Sequence, residues 1–473
     1  MATSKNLRRF SRRLSWHRVR CLVLPLLALL AGCAGPDLRI ATPPPGDALP
    51  MVGRNGAVAR REEHALLSRA LKDGVARDGA LVEALRRNLG HTTFTAGNEV
   101  SLLTDGPSTF ESFARALADA HHHIHVETFI FSDDKLGHSF AALLAEKSRQ
   151  GVEVRLLYDG LGSWDADPAL FDQLRDAGVA VQAYRPLSLD AVGSVLNGDM
   201  NQRDHRKLLV VDGRIAFVGG INISGTYNSG SSLSPGAEPG LSDGWRDTQV
   251  RIEGPAAQQF QALFFATWAA AGGAPAPPAA EFFPPIAPRG TALVAAVASE
   301  PGASTEAAIH RCYLAAIEGA RRRLWITQAY FAPDRALRRA LREAAGRGVD
   351  VRVLLPGFSD SRMVLNASRA IYAGLLARGV RIFEFDQAFV HAKTAVVDDS
   401  VSLVGSANMD FRSLLDNNEV TALIVDASTA QRMAALFERD QARAKEIRAE
   451  DWQHRSLPQR LKEKGASLLW RWL

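Results

Sequence analysis

Two stretches of this chain set a histidine, a lysine and an aspartate at the same spacing. One runs His205-Arg-Lys207-Leu-Leu-Val-Val-Asp212 and the other His391-Ala-Lys393-Thr-Ala-Val-Val-Asp398. Residues two apart on an extended strand point to the same side, so each His and its Lys face one cleft together. Beyond each comes a small-residue step ending in asparagine, Gly219-Gly220-Ile-Asn222 and Gly405-Ser406-Ala407-Asn408. Glycine at such a step lets another backbone come close. An imidazole titrating near neutral pH can attack an electrophile or carry a proton. Two lysines and two asparagines, with Gly220 and Ser406 in support, can hold anionic oxygens as charge redistributes. Displacement at a phosphodiester needs both functions. One histidine forms a phosphohistidine, and the other protonates the leaving alkoxide, then deprotonates an incoming alcohol or water. This scheme requires no metal or cofactor.

Four carboxylates accompany the histidines. Asp212 and Asp398 complete the catalytic motifs by spacing. Each stands at a strand end before a turn (Asp212-Gly213 in the first copy), a place for fixing local structure rather than touching phosphate. Asp247 and Glu419 occupy matching places, each after the Asn and before an apolar strand. A carboxylate there can hold an imidazole in one tautomer and stabilise its charged form.

The elements that position these residues are themselves repeated. Val126-Glu-Thr-Phe-Ile-Phe-Ser-Asp-Asp134 opens a strand, a helix over about 136–149 and a strand over 151–158. Ile326-Thr-Gln-Ala-Tyr-Phe-Ala-Pro-Asp334 opens the same order, with a helix over about 335–347 and a strand over 348–355. In both copies a further helix ends in Gly-Val (Gly178-Val179, Gly379-Val380), another strand follows, and then comes the His-Lys stretch. This alternation predicts an α/β fold with helices covering a sheet in each half.

The doubled motif resembles that of the phospholipase D superfamily. The stretches 205–224 and 405–419, with Trp245-Arg-Asp-Thr-Gln-Val-Arg-Ile-Glu-Gly254, are similar to the bacterial cardiolipin synthase branch. The resemblance covers roughly residues 95–440 and implies two pseudo-symmetric halves that share one site at their interface. It also implies His205 as nucleophile and His391 as general acid/base, although pseudo-symmetry admits the reverse. The activity implied is transfer of a phosphatidyl group to an alcohol. With a second phosphatidylglycerol as acceptor the products are cardiolipin and glycerol. A phospholipase D hydrolase shares the first half-reaction and stays open as an alternative. A nuclease and a non-catalytic membrane-binding module rank below it.

Composition sets the context. The 473 residues suggest two or three domains, and 47% hydrophobic with 23% charged residues is globular usage. The pI of about 9.2 rests on the leader, where residues 1–20 carry seven Lys or Arg and no acid. An apolar run over 21–32, too short to span a bilayer, then meets Leu30-Ala31-Gly32-Cys33-Ala34, which resembles a lipobox with Cys33 as the lipidated residue. Cleavage there takes the formal net charge from +5 to −2, which speaks against nucleic acid as a partner. The expected partners are anionic membrane phospholipids and a bilayer held through Cys33. The expected place is the periplasmic side of a bacterial envelope, at the outer rather than the inner membrane. Cys312 is left alone, a buried structural thiol.

The predicted organisation is a leader over 1–32, a tether over 33–58 and a helical segment over 59–94. The first half covers 95–271, a Pro-rich linker 272–290, the second half 291–440 and a basic tail 441–473. The insertion over 225–243 is read as a loop at the rim of the site. His121-His122-His123-Ile-His125 reads as a polar turn before a strand rather than a metal site. The tail, interrupted by Pro458 and bearing Trp452, Trp470 and Trp472, suits either a lipid interface or packing on the body.

Overall fold

The computed structural model describes residues 49–53, 56–72, 74–89, 92–186, 202–228, 244–275, 281–301 and 307–468. The leader, Cys33, most of the tether, Trp470 and Trp472 lie outside these residues, as do most of the insertion after Tyr227 and part of the Pro-rich stretch. Seven principal strands form the first half: β1 (Thr95–Leu103), β2 (His123–Thr128), β3 (Glu153–Asp159), β4 (Ala180–Tyr184), β5 (Leu208–Val211), β6 (Ile215–Gly219) and β7 (Gln249–Glu253). Seven more form the second: β8 (Ala292–Ser299), β9 (Arg323–Gln328), β10 (Asp350–Pro356), β11 (Arg381–Phe385), β12 (Lys393–Val397), β13 (Val401–Gly405) and β14 (Glu419–Val425).

The hydrogen-bonded order is β4-β3-β2-β5-β6-β7-β1 in one half. It is β11-β10-β9-β12-β13-β14-β8 in the other. The orders match strand for strand, and β1 joins β8 antiparallel to make one continuous sheet. In each half the first three strands are parallel, linked by helices Lys135–Arg149 and Pro168–Asp176, or Arg335–Gly346 and Arg362–Leu376. Asp134 and Asp334 cap the first helix of each pair, accepting from Gly137 N at 2.9 Å and Leu337 N at 3.0 Å. A core shared by both halves includes Phe260, Phe264 and Trp268 of helix Ala257–Ala270 and Phe437 of helix Ala427–Gln441. Helices Arg60–Leu71 and Val75–Asn88 pack on the second half, where Leu81 and Leu85 join the core containing Cys312. Burial pushes the Cys312 thiol up to about 12, so it stays protonated.

Two local expectations need correction. Of the histidine cluster, His121 and His122 do form the bend before the strand, but His123 and His125 lie on β2, fully buried. His125 stacks on Phe264 at 4.5 Å with the rings parallel, the place that Trp325, stacked on Phe437 at 5.3 Å, takes in the other half. Within the Pro-rich linker, Phe282 is buried in the shared core. Pro458 opens a helix, Leu457–Leu468, instead of interrupting one, and Trp452 is buried against Tyr372 at 4.9 Å. Among the described residues no helix is long and apolar enough to cross a membrane.

Candidate active site

The two histidine stretches are each stitched to the opposite half. Asp204 bridges Asn418 in parallel, and His205 N donates to Asn418 O at 3.0 Å. In the mirror arrangement Phe389–Val390 pairs in parallel with Trp245–Arg246, and His391 N donates to Arg246 O at 2.8 Å. The next residue along each partner segment is the carboxylate. His205 Nδ1 therefore lies 2.9 Å from Glu419 Oε1, and His391 Nδ1 lies 2.7 Å from Asp247 Oδ2. Each half supplies the imidazole that the other half's carboxylate holds.

The small residues make room for this. A Cβ on Gly220 would fall 2.3 Å from Asp247 Oδ1, and one on Gly405 would fall 2.3 Å from Val420 O. Gly219 and Gly220 thus admit the strand edge and its carboxylate rather than a bound anion. Ser406, matching Gly220, donates its hydroxyl to Glu419 Oε2 and accepts from Val420 N at 3.1 Å.

Burial alone would raise both carboxylates, but their histidines and the nearby lysines hold Glu419 and Asp247 below the ordinary range. An ionised carboxylate can only accept, so Nδ1 of each imidazole carries the hydrogen and Nε2 keeps its lone pair. Burial drives both histidines down, His391 to about 4 with Lys393 adding to the effect and Asp247 opposing it. Lys207 Nζ donates to His205 O at 2.7 Å, and Lys393 Nζ donates to His391 O. Burial lowers these lysines to about 7 and about 8 against the pull of Glu419 and Asp247. The site therefore favours neutral imidazoles and easily discharged lysines. A bound anion would reverse both tendencies.

The remaining predicted residues divide. Asn222 braces a loop, accepting from Ile130 N at 3.0 Å and donating to Tyr227 OH at 2.8 Å. Asn408 is buried, and its Oδ1 has no hydrogen-bond partner among the described residues. Asp212 and Asp398, part of the catalytic motifs by spacing, stand at the far ends of β5 and β12 from the histidines and serve the turns there, as their places before a turn suggest. Asp212 accepts from the backbone of His121, His122 and His123 at 3.0, 2.8 and 2.9 Å. Asp398 does the same for Arg321, Arg322 and Arg323, at 2.8 Å for Arg322. Both have positive φ, 52° and 50°, so their task is to fasten a turn.

Other site residues escape the motif. Tyr227 OH lies 3.4 Å from His391 Nδ1, and Trp245 and Phe389 stand 4.8 and 6.0 Å from the His391 ring. Phe129 covers His205 at 5.0 Å and underlies Lys207. Behind His205, fully buried Arg206 donates through Nε to Glu419 O at 3.2 Å, through Nη1 to Thr267 Oγ1 at 2.6 Å and through Nη2 to Glu300 Oε1 at 2.9 Å. Glu127 lies 3.8 Å from the same guanidinium, and burial pushes Glu127 up to about 7 against Arg206's pull. Asp204, beside them, is also raised by burial and by Glu127. Only the position of Tyr227 and Trp245 between Asn222 and Asp247 hinted at any of these.

A family model described as "Cardiolipin synthase, PLD-like domain" matches residues 113–232 and 313–441, one His-Lys stretch in each. Cardiolipin synthase A of Pseudomonas entomophila (strain L48) is 41% identical over 379 residues, 80% of this chain and 76% of that protein. Cardiolipin synthase of Geobacillus kaustophilus (strain HTA426) is 36% identical over 386 residues, 81% of this chain and 74% of that one. In fold, the chain is similar to phosphatidylserine synthase of Haemophilus influenzae Rd KW20, with a TM-score of 0.61 at 14% identity over 82% of this chain and 99% of that one.

Proposed function

Since the chain belongs to the phospholipase D-like cardiolipin synthase family and is a phospholipid phosphatidyltransferase, we propose that it works by double displacement at His205 and His391. His205 Nε2 attacks the phosphorus of a phosphatidylglycerol, and the bond from phosphorus to the glycerol headgroup oxygen breaks. His391, protonated once the anionic phosphodiester offsets the nearby lysines, gives its Nε2 proton to the departing alkoxide. The phosphatidyl group is then covalently held on His205. A hydroxyl of a second phosphatidylglycerol loses its proton to His391 and attacks phosphorus, and the phosphorus–nitrogen bond breaks. The products are glycerol and cardiolipin.

The crossed pairs carry this reading. Each carboxylate fixes Nδ1 as donor, freeing Nε2 for covalent or proton-transfer work. Lys207 and Lys393 supply charge for the non-bridging oxygens, and an amide hydrogen of Asn222 or Asn408 can add a donor. Choosing an alcohol over water is supported by the covering of His391, 6% exposed beneath Trp245, Tyr227 and Phe389. Assigning the nucleophile to His205 is supported by its wider opening, 12%.

The test uses purified protein and vesicles of labelled phosphatidylglycerol, with and without added alcohols. Cardiolipin with free glycerol is the expected result, absent from His205→Ala and His391→Ala. Phosphatidic acid as the main product would make the acceptor water. The lipobox stretch supports a second part of the proposal, attachment to the bacterial envelope through lipid on Cys33, at the outer membrane. Metabolic labelling with a fatty acid should mark the protein and lose the label in Cys33→Ala.

A further inference from the structure

The C-terminal helix Leu457–Leu468 is packed inside out. It lies along helix Arg362–Leu376 and turns Gln459, Glu463 and Ala466 toward it. Gln459 Nε2 donates to Asn366 Oδ1 at 3.2 Å, Glu463 is 3% exposed and paired with Arg455, and Ala466 packs against Val364 and Ala367. Leu457, Leu461 and Leu468 are left 70%, 68% and 43% exposed. At about 100° per residue these leucines fall within roughly 40° of one another, and the body-facing residues centre roughly 180° away. A surface helix ordinarily does the reverse, so this leucine stripe is a surface made to be covered.

Charge indicates the cover. Arg460, Lys462 and Lys464 stand exposed on the same helix, and its single acid, Glu463, is withdrawn into the body. A leucine stripe flanked by cations fits an anionic lipid interface. The helix is also tied to the chemistry. Val364 and Ala367, which receive Ala466, also pack with Tyr330. Tyr330 stands 6.3 Å from Phe389, which in turn stands 6.0 Å from His391. Met363, 40% exposed, adds an apolar side chain at the start of the neighbouring helix.

We propose that helix Leu457–Leu468 lies in the interface of an anionic phospholipid bilayer. Its leucines enter the acyl region, its cations meet the phosphates, and the His391 side of the cleft is held at the surface from which substrate must come. This rests on phospholipid being the substrate and on no assignment of roles to the histidines.

The test uses the full chain carrying Leu461→Trp, with vesicles of phosphatidylglycerol whose acyl chains are brominated. Quenching of the added indole emission is expected, on the order of tenfold weaker with brominated phosphatidylcholine. Taken as the difference from the parent chain, whose eight native tryptophans contribute equally to both, this readout is local, so membrane attachment elsewhere in the chain does not produce it. In parallel, the triple variant L457S/L461S/L468S should turn over vesicle lipid at limiting concentration about tenfold more slowly. It should process a short-chain phosphatidylglycerol, dispersed below its micelle concentration, at the unaltered rate. Protein that floats with vesicles while the L461W signal stays unquenched would overturn the proposal. So would a lipid-free dimer, seen by light scattering, that the triple variant abolishes, since a second copy would then be the cover. Absence of transfer with both substrates would count against the proposed reaction alone, and the quenching would still decide this point.

Discussion

Seen from the cleft the two halves are near copies, but behind the catalytic strands they differ. At His391 the neighbouring residues are Val390 and Ala392, both buried in the apolar shared core. At His205 the same places hold Asp204 and Arg206, and Glu127 stands where the second half has Thr327. One half therefore backs its histidine with a buried ionic cluster and the other with hydrocarbon. On the proposed mechanism the front is constrained by the need for two equivalent histidines. The back is free to specialise, and here Arg206 uses that freedom to grip the backbone of Glu419, the residue that orients His205.

The strongest way to break the equivalence of the fronts is to remove one histidine at a time. Both His205→Asn and His391→Asn should cost about 10⁴-fold or more in turnover. They should differ in what accumulates. His391→Asn should trap a lipid adduct visible by intact mass at neutral pH, and His205→Asn should show none. An adduct in His205→Asn instead would exchange the two roles.

Next come the carboxylates, where Glu419→Gln and Asp247→Asn should each lower turnover by about 10³-fold through loss of the tautomer-fixing acceptor. Ser406→Ala should cost about tenfold and act only through Glu419, so in Glu419→Gln it should add nothing. Steady-state rates of the singles and the double would check this.

The backs are separated by a stability measurement. Arg206→Met leaves Glu127, Asp204 and Glu300 without their cation and should cost about 3 kcal/mol at pH 8. Glu127 and Asp204, both buried, bind protons more readily folded than unfolded, so folding is favoured at low pH and loses ground as pH rises through the folded values. For Glu127 that value is already about 7. Thermal melts of Arg206→Met should thus recover toward the parent between pH 8 and pH 6, and Ala392→Val should show no such recovery.

An effect no larger than that of Ser406→Ala concerns the lysines. Lys207 and Lys393 carry charge only below about 7 and about 8. KM for anionic lipid should therefore rise as pH climbs through that window, on the order of tenfold by pH 9, in a vesicle assay at fixed ionic strength.

Much of this is legible in the amino-acid sequence. The doubled His-x-Lys and the strand-helix repeats are local patterns, and local patterns set local structure. Asp212 before Gly213 announces a turn because its side chain can serve the backbone beside it. The crossed pairing is invisible at that range: His205 and Glu419 are 214 positions apart, and only the relation between the halves brings them together. Arg206 reads as a spacer in the motif until its neighbours Glu127, Thr267 and Glu300 are seen. His123 and His125 look like polar turn residues because their type suggests water, but the aromatic rings of Phe264 and Phe282 take them in. Phe282 likewise anchors the Pro-rich linker through a contact that its prolines do not announce.

The crossed stitching also sets an order of events during synthesis. The ribosome releases His205 long before Glu419, so the growing chain carries an imidazole with nothing to fix its tautomer or define its nucleophilic nitrogen. Asp247 waits in the same way for His391. On the proposed mechanism neither histidine is competent until the second half has emerged and docked, and a chain that stops before Glu419 is chemically silent. Activity would thus certify that both halves have been made and assembled.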